Sequence, residues 1–575
     1  MREERRRMKR AQKKRQDFAN RRAERAAGAK PGFAPGRHQR SEFFQEQATV
    51  DPPQPLPTVT SARQLAFHVL EEHSESGQFI GQLMEGVLKQ THLSHPAERR
   101  LATELANGIV RRQLTLDAIL KTFVDRPPDQ VEPRLRTLLR LGAYQLVLAS
   151  GIKSHAAVAE TVELARWCGE ERWCGFLNGV LRSIDRSVEA AAETSDTDGI
   201  VTAHSPKAVP LDLETADAHS PDAGEQRYRL LDREVFPGLH DIPRYISAAF
   251  GLPLWLVIRW ERRLDRERLF RLASTFNFRT PLTLRVNPLR TSREELLALL
   301  REHAEQQASE TPEPEQNSSD LNGVSATAEN VADGQSTAAE SEHQSSSPRR
   351  AVFGEGRLPN TIWCRAAGNP ATLPGFAAGL FTVQDETAMS AVALLDPEPG
   401  QNVLDLCAAP GTKSTHMAEL MNNDGSILAA DSDAVRLERV SQNARRLGLD
   451  IISTVTVQDD LSDLPQGPFD AILVDAVCSN TGVLAKRPEV RTRLRRADVE
   501  ELAGLQLKLL TAAAERLVPG GRLVYSTCSI EPEENSGVIA QFLECTPDIR
   551  LEETREFFPG EPSDGGFQTL MIRGG

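Results

Sequence analysis

Hydrophobic residues recur along this chain with two different periods, and the periods mark out three ordered blocks. Over residues 60–187 the spacing is helical. Ala62, Leu65, Ala66, Val69 and Leu70 fall on one face, and Leu138, Leu139, Leu141, Tyr144, Leu146 and Val147 form another apolar run. Gly108, Gly142, Gly151 and Gly169 punctuate the pattern and strand signals are absent, which predicts an all-α bundle. Residues 240–385 mix a helical run (Pro253–Trp260) with a strand-like one (Leu282–Asn287) and a further helical pattern over Ser292–Glu302. They predict a small α+β subdomain. Over 386–575, short runs of Val, Ile and Leu alternate with amphipathic stretches. Strands are expected at 402–408, 426–431, 453–458, 469–475, 521–527 and 567–572. That alternation predicts a Rossmann-like parallel α/β sheet, so the chain reads as multidomain.

Between and before these blocks the pattern fades. Residues 188–239, acidic and nearly free of aromatics over 188–226, read as a flexible insertion or linker, and 304–349 reads as a second acidic insertion. Residues 1–59 read as a disordered basic tail. Residues 1–40 carry 15 Lys or Arg against four acids, about +11 within a chain of net charge −13, so the remainder carries about −24. The tail suits either a phosphate-binding arm on a nucleic acid or a solvated extension. No apolar stretch of membrane-spanning length appears, and the N-terminus lacks a signal-peptide pattern. A soluble, cytoplasmic protein, taken as a monomer, is expected. The seven cysteines include no C-x-x-C pair, so neither disulfides nor a metal site are expected.

Two of those cysteines change the picture. Cys478 follows the apolar run Phe469–Asp475, and Cys528 follows Gly521–Thr527. In a doubly wound sheet, ligands bind beyond the carboxyl ends of the strands. If the two strands are neighbours, about 4.8 Å apart, both thiols face one crevice. A lone cysteine is more often a small buried hydrophobe; a pair at matched strand ends is not.

A cofactor site is expected where strand 402–408 runs into Cys407-Ala408-Ala409-Pro410-Gly411-Thr412-Lys413, followed by a helix. Small residues let the backbone approach a ligand closely, and the helix N-terminus offers free N–H groups. Asp431, at the end of the next strand, is positioned to accept from a ribose diol, and Asp460, after the third, to hold an adenine amino group. The G-x-G-x-x-G pattern is missing, so a nucleoside with a non-phosphate tail fits better than a dinucleotide.

These residues carry two resemblances. Glu104–Arg111, Leu139–Leu146, His155–Glu160 and Phe176–Arg182 resemble the NusB-type RNA-binding fold. That implies RNA contact, with Arg63, Arg111, Arg112 and Arg182 as candidate phosphate contacts. Asp405–Lys413, Asp475–Gly482 and Thr527–Asn535 resemble the RNA cytosine-C5 methyltransferases. Together the resemblances cover about 60–187 and 240–573. They imply S-adenosylmethionine held by Cys407 to Lys413, with Asp431 on the ribose and Asp460 near the adenine. They also imply Cys528 as nucleophile, Cys478 as the residue assisting product release, and Asp475, close to the cofactor, at the base edge. The residues alone do not say which cysteine attacks. The pairing of the two blocks implies a small-subunit rRNA target, at an unstacked cytosine. Val477 stands where the family usually has proline, which puts the stiffness of that loop in question. The basic run Lys486, Arg487, Arg491, Arg493, Arg495 and Arg496 suits an RNA backbone or a solvated helix face. A dinucleotide oxidoreductase would lack its glycine fingerprint, and a non-catalytic RNA scaffold would leave the cofactor loop and both thiols without a use. Another RNA, such as tRNA or large-subunit rRNA, remains the open alternative.

Overall fold

The computed structural model describes residues 58–91, 93, 95–126, 130–193, 200–212, 226–278, 280–310 and 351–575. Nearly all of the basic tail, and the acidic stretch from 311 to 350, lie outside the described residues.

The first block is helical, as its periodicity requires. Its helices are α1 (Ala62–Ser76), α2 (Ile80–Gln90), α3 (Pro96–Arg111), α4 (Gln113–Phe123), α5 (Pro133–Val147), α6 (Ser154–Trp167) and α7 (Cys174–Glu193). Ser61 caps α1 by accepting from Gln64 N, and Gly77 ends it in the left-handed region. Leu65, Leu105, Leu138, Leu141 and Leu181 are fully buried between the helices. Gly108 is required by close packing: a Cβ there would lie 2.1 Å from the Tyr144 hydroxyl oxygen.

The expectation of a flexible linker over 188–239 is corrected for its described residues; 194–199 and 213–225 lie outside them. Helix α7 continues to Glu193. Beyond it, β1 (Ile200–Val201), β2 (Ala208–Pro210) and β3 (Tyr228–Leu230) form an antiparallel sheet in the order β1-β3-β2. Ala208, Val209 and Tyr228 are fully buried. An average composition hid this, because a few apolar residues suffice to anchor strands of two or three residues.

Helices α8 (Ile242–Phe250), α9 (Leu254–Glu261) and α10 (Arg266–Thr275) follow, with α8 packed on α4. The α+β part holds the antiparallel sheet β5-β6-β4-β7, from β4 (Leu282–Val286), β5 (Val352–Glu355), β6 (Thr361–Arg365) and β7 (Phe381–Val383). Helix α11 (Arg293–Glu310) contributes Leu296, Leu297 and Leu300 to the core beside Leu284, Val286 and Phe381. It runs into the region expected as an insertion, so residues 304–310 are helical.

The last block is a seven-stranded sheet, ordered β10-β9-β8-β11-β12-β14-β13. Its strands are β8 (Asn402–Leu406), β9 (Ser426–Asp431), β10 (Ile452–Thr456), β11 (Phe469–Asp475), β12 (Leu517–Thr527), β13 (Ile549–Phe558) and β14 (Glu561–Arg573). Helices α12 (Glu386–Leu395), α13 (Thr412–Leu420), α14 (Ala434–Leu447), α15 (Val490–Arg493), α16 (Arg496–Ala514) and α17 (Ser536–Cys545) complete it. The five strands from β10 to β12 in that order are parallel, as expected, and β14 departs from that pattern, running antiparallel to both β12 and β13. Strand β13 escaped the sequence reading because Arg550 to Glu556 is mostly charged and exposed, as an edge strand tolerates. No helix among the described residues is long and apolar enough to cross a membrane.

One buried side chain fastens the α+β part to the sheet domain. Arg285 on β4 donates from Nε and Nη2 to the two oxygens of Glu419 on α13, both at 2.8 Å. It also donates to Thr412 O at 2.7 Å, to Thr415 Oγ1 at 3.0 Å and to Gln384 Oε1. The helix it grips begins at Thr412, within the expected cofactor segment. Removing one partner of such a pair leaves an uncompensated buried charge, at a cost of about 3–5 kcal/mol. Arg285→Met is therefore expected to lower the urea midpoint sharply. Arg285→Met combined with Glu419→Leu should recover most of the loss; a double variant no better than the single would refute the pairing.

Candidate active site

The expected cofactor loop leaves β8 with Cys407 in the left-handed region (φ 68°) and enters α13 through Gly411 (φ 94°). A Cβ at Gly411 would lie 2.8 Å from Val440 Cγ1 and 3.0 Å from Val440 Cα on α14, so only glycine allows this approach. Asp431, at the end of β9, accepts from Ala409 N at 3.0 Å through one oxygen and from Asp433 N at 3.1 Å through the other. Each oxygen keeps a lone pair for a further donor. Burial raises the Cys407 thiol far above its ordinary range, so it remains an unreactive wall of the loop. Asp460 is different. Strand β10 ends at Thr456, and Asp460 sits exposed in a turn, accepting from Ser462 N at 3.0 Å. It makes no hydrogen bond to the loop that Asp431 touches.

Behind the loop, Lys413 Nζ meets Asp475 Oδ2 at 2.5 Å. Burial opposes the charge on Lys413, but Asp475 and Asp405 outweigh it and hold the ammonium above its usual range. Asp405 is fully buried, accepts from Ser414 Oγ at 2.5 Å, and is pushed up to about 7 by desolvation.

The two cysteines lie together, as the strand ends suggested. Strands β11 and β12 are parallel neighbours with Asp475 opposite Ser526, and Cys478 Sγ lies 3.2 Å from Cys528 Sγ. Cys528 Sγ is also 3.2 Å from Asn480 Oδ1, an atom that can only accept. Cys528 therefore donates to Asn480, and Cys478 donates to Cys528. That hydrogen bond, then burial, raises the Cys478 thiol well above its ordinary value. Cys478 is buried and Cys528 is partly open, so the thiols are unequal.

Three residues that frame them received no role from the sequence. Glu534 accepts from Ser479 N at 2.8 Å, from Ser479 Oγ and Ser529 Oγ at 2.5 Å each, and from Gln506 Nε2 at 3.1 Å. It thereby joins the two cysteine loops. Glu534 lies within the Thr527–Asn535 motif, which was the available signal. Asn480 likewise lies within the Asp475–Gly482 motif, whereas Gln506 carried no signal, since it lies within a long amphipathic helix.

The arginines divide. Arg112 is fully buried, donates to Pro210 O and lies 3.8 Å from Asp212, so the expectation of a phosphate contact is corrected. Arg111 pairs with Asp212 at 3.3 Å with little exposure, and Arg63 donates to Gln145 Oε1 at 2.7 Å. Arg182 is exposed on α7. In the basic run, Arg491 is buried. It donates to the carbonyls of Arg111, Phe250, Gly251, Phe276 and Leu484 and to Asn277 Oδ1. It staples the segment after Cys478 to the helical block instead of meeting RNA. Lys486 pairs with Asp385 and Asp564 at 2.5 and 2.8 Å, and Arg495 pairs with Asp498 at 3.1 Å. Arg487 and Arg493 lie over the Phe79 ring, and Arg496 is exposed.

The family model described as 16S rRNA methyltransferase RsmB/F matches residues 392–570, the NusB family matches 60–186, and an RsmF/B-like ferredoxin-like domain matches 252–316. A probable ribosomal RNA small subunit methyltransferase B of Synechocystis is 31% identical over 86% of this chain and 91% of its own length. The ribosomal RNA small subunit methyltransferase B of Klebsiella pneumoniae subsp. pneumoniae is 32% identical over 89% and 98%. The crystal structure of PH0851 shares the fold, with a TM-score of 0.63 at 22% identity, covering 90% of this chain and all of that one. By its identity to these relatives along nearly their full length, the chain belongs to the ribosomal RNA small subunit methyltransferase B family.

Proposed function

We propose that this protein methylates carbon 5 of a cytosine in 16S rRNA, with Cys528 as nucleophile and Cys478 assisting release. The observation that carries the reading is the pair of unequal thiols, 3.2 Å apart, at the ends of neighbouring strands. The rRNA target follows from the family and its named relatives.

The residues of the loop fit S-adenosylmethionine. Cys407 to Lys413 offer a close backbone turn and a helix N-terminus, and Asp431 keeps acceptor capacity at the strand end where a ribose is bound. When bound, this group supplies an electrophilic methyl. The chain's own residues make cytosine able to accept it. Carbon 5 of an aromatic cytosine is a poor nucleophile. Addition of the Cys528 thiolate to carbon 6 moves electron density onto carbon 5. Asp475, whose partner Lys413 occupies one oxygen, is assigned to ring nitrogen 3 and the amino group of the base. Once carbon 5 carries the methyl, water takes its proton, the electron pair of that C–H bond restores the carbon 5–carbon 6 double bond, and the bond from carbon 6 to Cys528 Sγ breaks with its electrons returning to sulfur. Cys478 retains its proton at neutral pH, and its hydrogen bond to Cys528 stabilises the departing thiolate.

Cys528→Ala is expected to reduce methyl transfer to 16S rRNA to background. Cys478→Ala should still attack and transfer, but release slowly. A protein–RNA adduct that survives denaturing electrophoresis should accumulate, and it should vanish when Cys528→Ala is added. Methylation by Cys528→Ala, or an adduct formed through Cys478, would overturn the assignment. Asp431→Ala should weaken S-adenosylmethionine binding by about 1–3 kcal/mol, the range for losing charged hydrogen bonds. Isothermal calorimetry measures this directly, and unchanged affinity would remove Asp431 from the site.

A further inference from the structure

A cleft of about 450 Å³ opens where the helical block meets the segment that follows the first cysteine, within the size range of small-ligand sites (roughly 300–1,000 Å³). It lies apart from the thiols and the cofactor loop, and its lining includes none of their residues. Three guanidinium groups line it: Arg136 and Arg140, one turn apart on α5, and Arg493 at the end of α15. Arg140 is spoken for, since its Nε and Nη2 donate to the two oxygens of Asp117, both at 2.7 Å. The other two are not fully satisfied. Arg136 Nε and Arg493 Nη1 are buried and have no hydrogen-bond partner.

Buried donors normally find acceptors, and buried charges find counter-charges. With three arginines and a single carboxylate, the lining carries a surplus of about two positive charges if His73 is neutral. His73 also lines the cleft, and its Nδ1 lies 2.7 Å from Gln78 O. A carbonyl can only accept, so Nδ1 carries a proton. In the neutral ring Nε2 is then an acceptor. Burial, with Arg493 adding to it, favours that neutral form. The cleft thus combines unpartnered guanidinium donors with a neutral acceptor, the complement of a phosphate beside a sugar hydroxyl.

We infer that this cleft binds a backbone phosphate of the RNA substrate. The inference rests on the RNA methyltransferase reading above and deepens it. RNA is favoured over a free anion by continuity. Arg493 belongs to the segment that leaves the Cys478 loop, and it shares the Phe79 ring with Arg487, at 5.1 and 5.5 Å respectively. A strand held at the thiols is led past these two arginines into the cleft. The helical block then fixes the register of the RNA relative to the reacting base, as phosphate contacts do elsewhere.

The test uses the full chain and a 16S rRNA transcript, with affinity measured across a series of KCl concentrations. Each phosphate contact contributes about 0.7 to 0.9 to the slope of log affinity against log salt. Arg493→Gln and Arg136→Gln should each flatten the slope by about that amount, which is roughly a 4- to 6-fold loss of affinity near 0.15 M salt. Arg493→Lys should restore the slope, because the charge is retained. Unchanged S-adenosylmethionine binding in each variant verifies folding. Wild-type slope and affinity in both glutamine variants would overturn the proposal while wild-type methylation still upheld the function. If the wild type neither binds nor methylates the transcript, the functional reading itself fails. Saturable binding of inorganic phosphate that Arg493→Gln abolishes, with the RNA slope unchanged, would assign the cleft to a free anion and overturn the RNA source.

Discussion

The placement of the two thiols depends on one buried carboxylate. Glu534 is fully buried and accepts four hydrogen bonds, three of them from the two loops that carry the cysteines. A carboxylate without partners would be too costly to bury, so the loops and the carboxylate hold each other in place. Strand register alone, with Asp475 opposite Ser526, brings the thiols only to the same crevice. The ties from Ser479 and Ser529 to Glu534 set the final separation. Tyr525 donates to Glu534 O at 2.6 Å, and Asn535 accepts from Thr527 Oγ1 at 2.7 Å and donates to Ser529 O at 2.9 Å. The motif after Cys528 is therefore a scaffold that positions this thiol.

Around that frame three sets of buried charges meet opposite ones. Lys413 faces Asp475, Arg285 faces Glu419, and Glu531 accepts from Trp260 Nε1 at 2.8 Å and pairs with Arg259 and Arg263. The last contact ties α9 to the loop just beyond Cys528. Two separate parts of the chain thus grip the active-site loops from outside the sheet. Arg285 holds the helix that Gly411 leads into, and Arg259 and Arg263 hold the loop that follows Cys528. Both attachments use arginine forks, which fix direction as well as distance.

What the sequence made legible was governed by period and position. Alternating apolar runs gave the five parallel strands, and cysteines at two strand ends gave the thiol pair before any coordinates. Strand β13 was hidden because an edge strand needs no buried face, and β2 because three residues are too few to set a period. Long-range satisfaction of buried groups was not legible at all. Nothing local marks Arg491 as a staple or Arg112 as a core residue, since their acceptors are carbonyls brought together only by the fold. A basic run therefore looked uniform, although its members are divided between a staple, ion pairs, the seam beside Phe79 and, for Arg496, an exposed position.

Val477, which stands where the resemblance implies proline, belongs to the same network. Proline would stiffen the loop before Cys478 by fixing φ. Here the stiffness has another source. Gln506 Nε2 donates to Val477 O at 2.8 Å as well as to Glu534 Oε1 at 3.1 Å. One amide thus connects the residue before the first cysteine to the carboxylate that aligns both loops. Asn480 Nδ2 donates to Cys478 O at 2.8 Å on the other side, so the backbone on both sides of the thiol is held. A ring constraint restricts one torsion, whereas these bonds fix the carbonyls against the core. The loop keeps its place without proline because its position is set by the Glu534 network, of which Val477 is the outermost member.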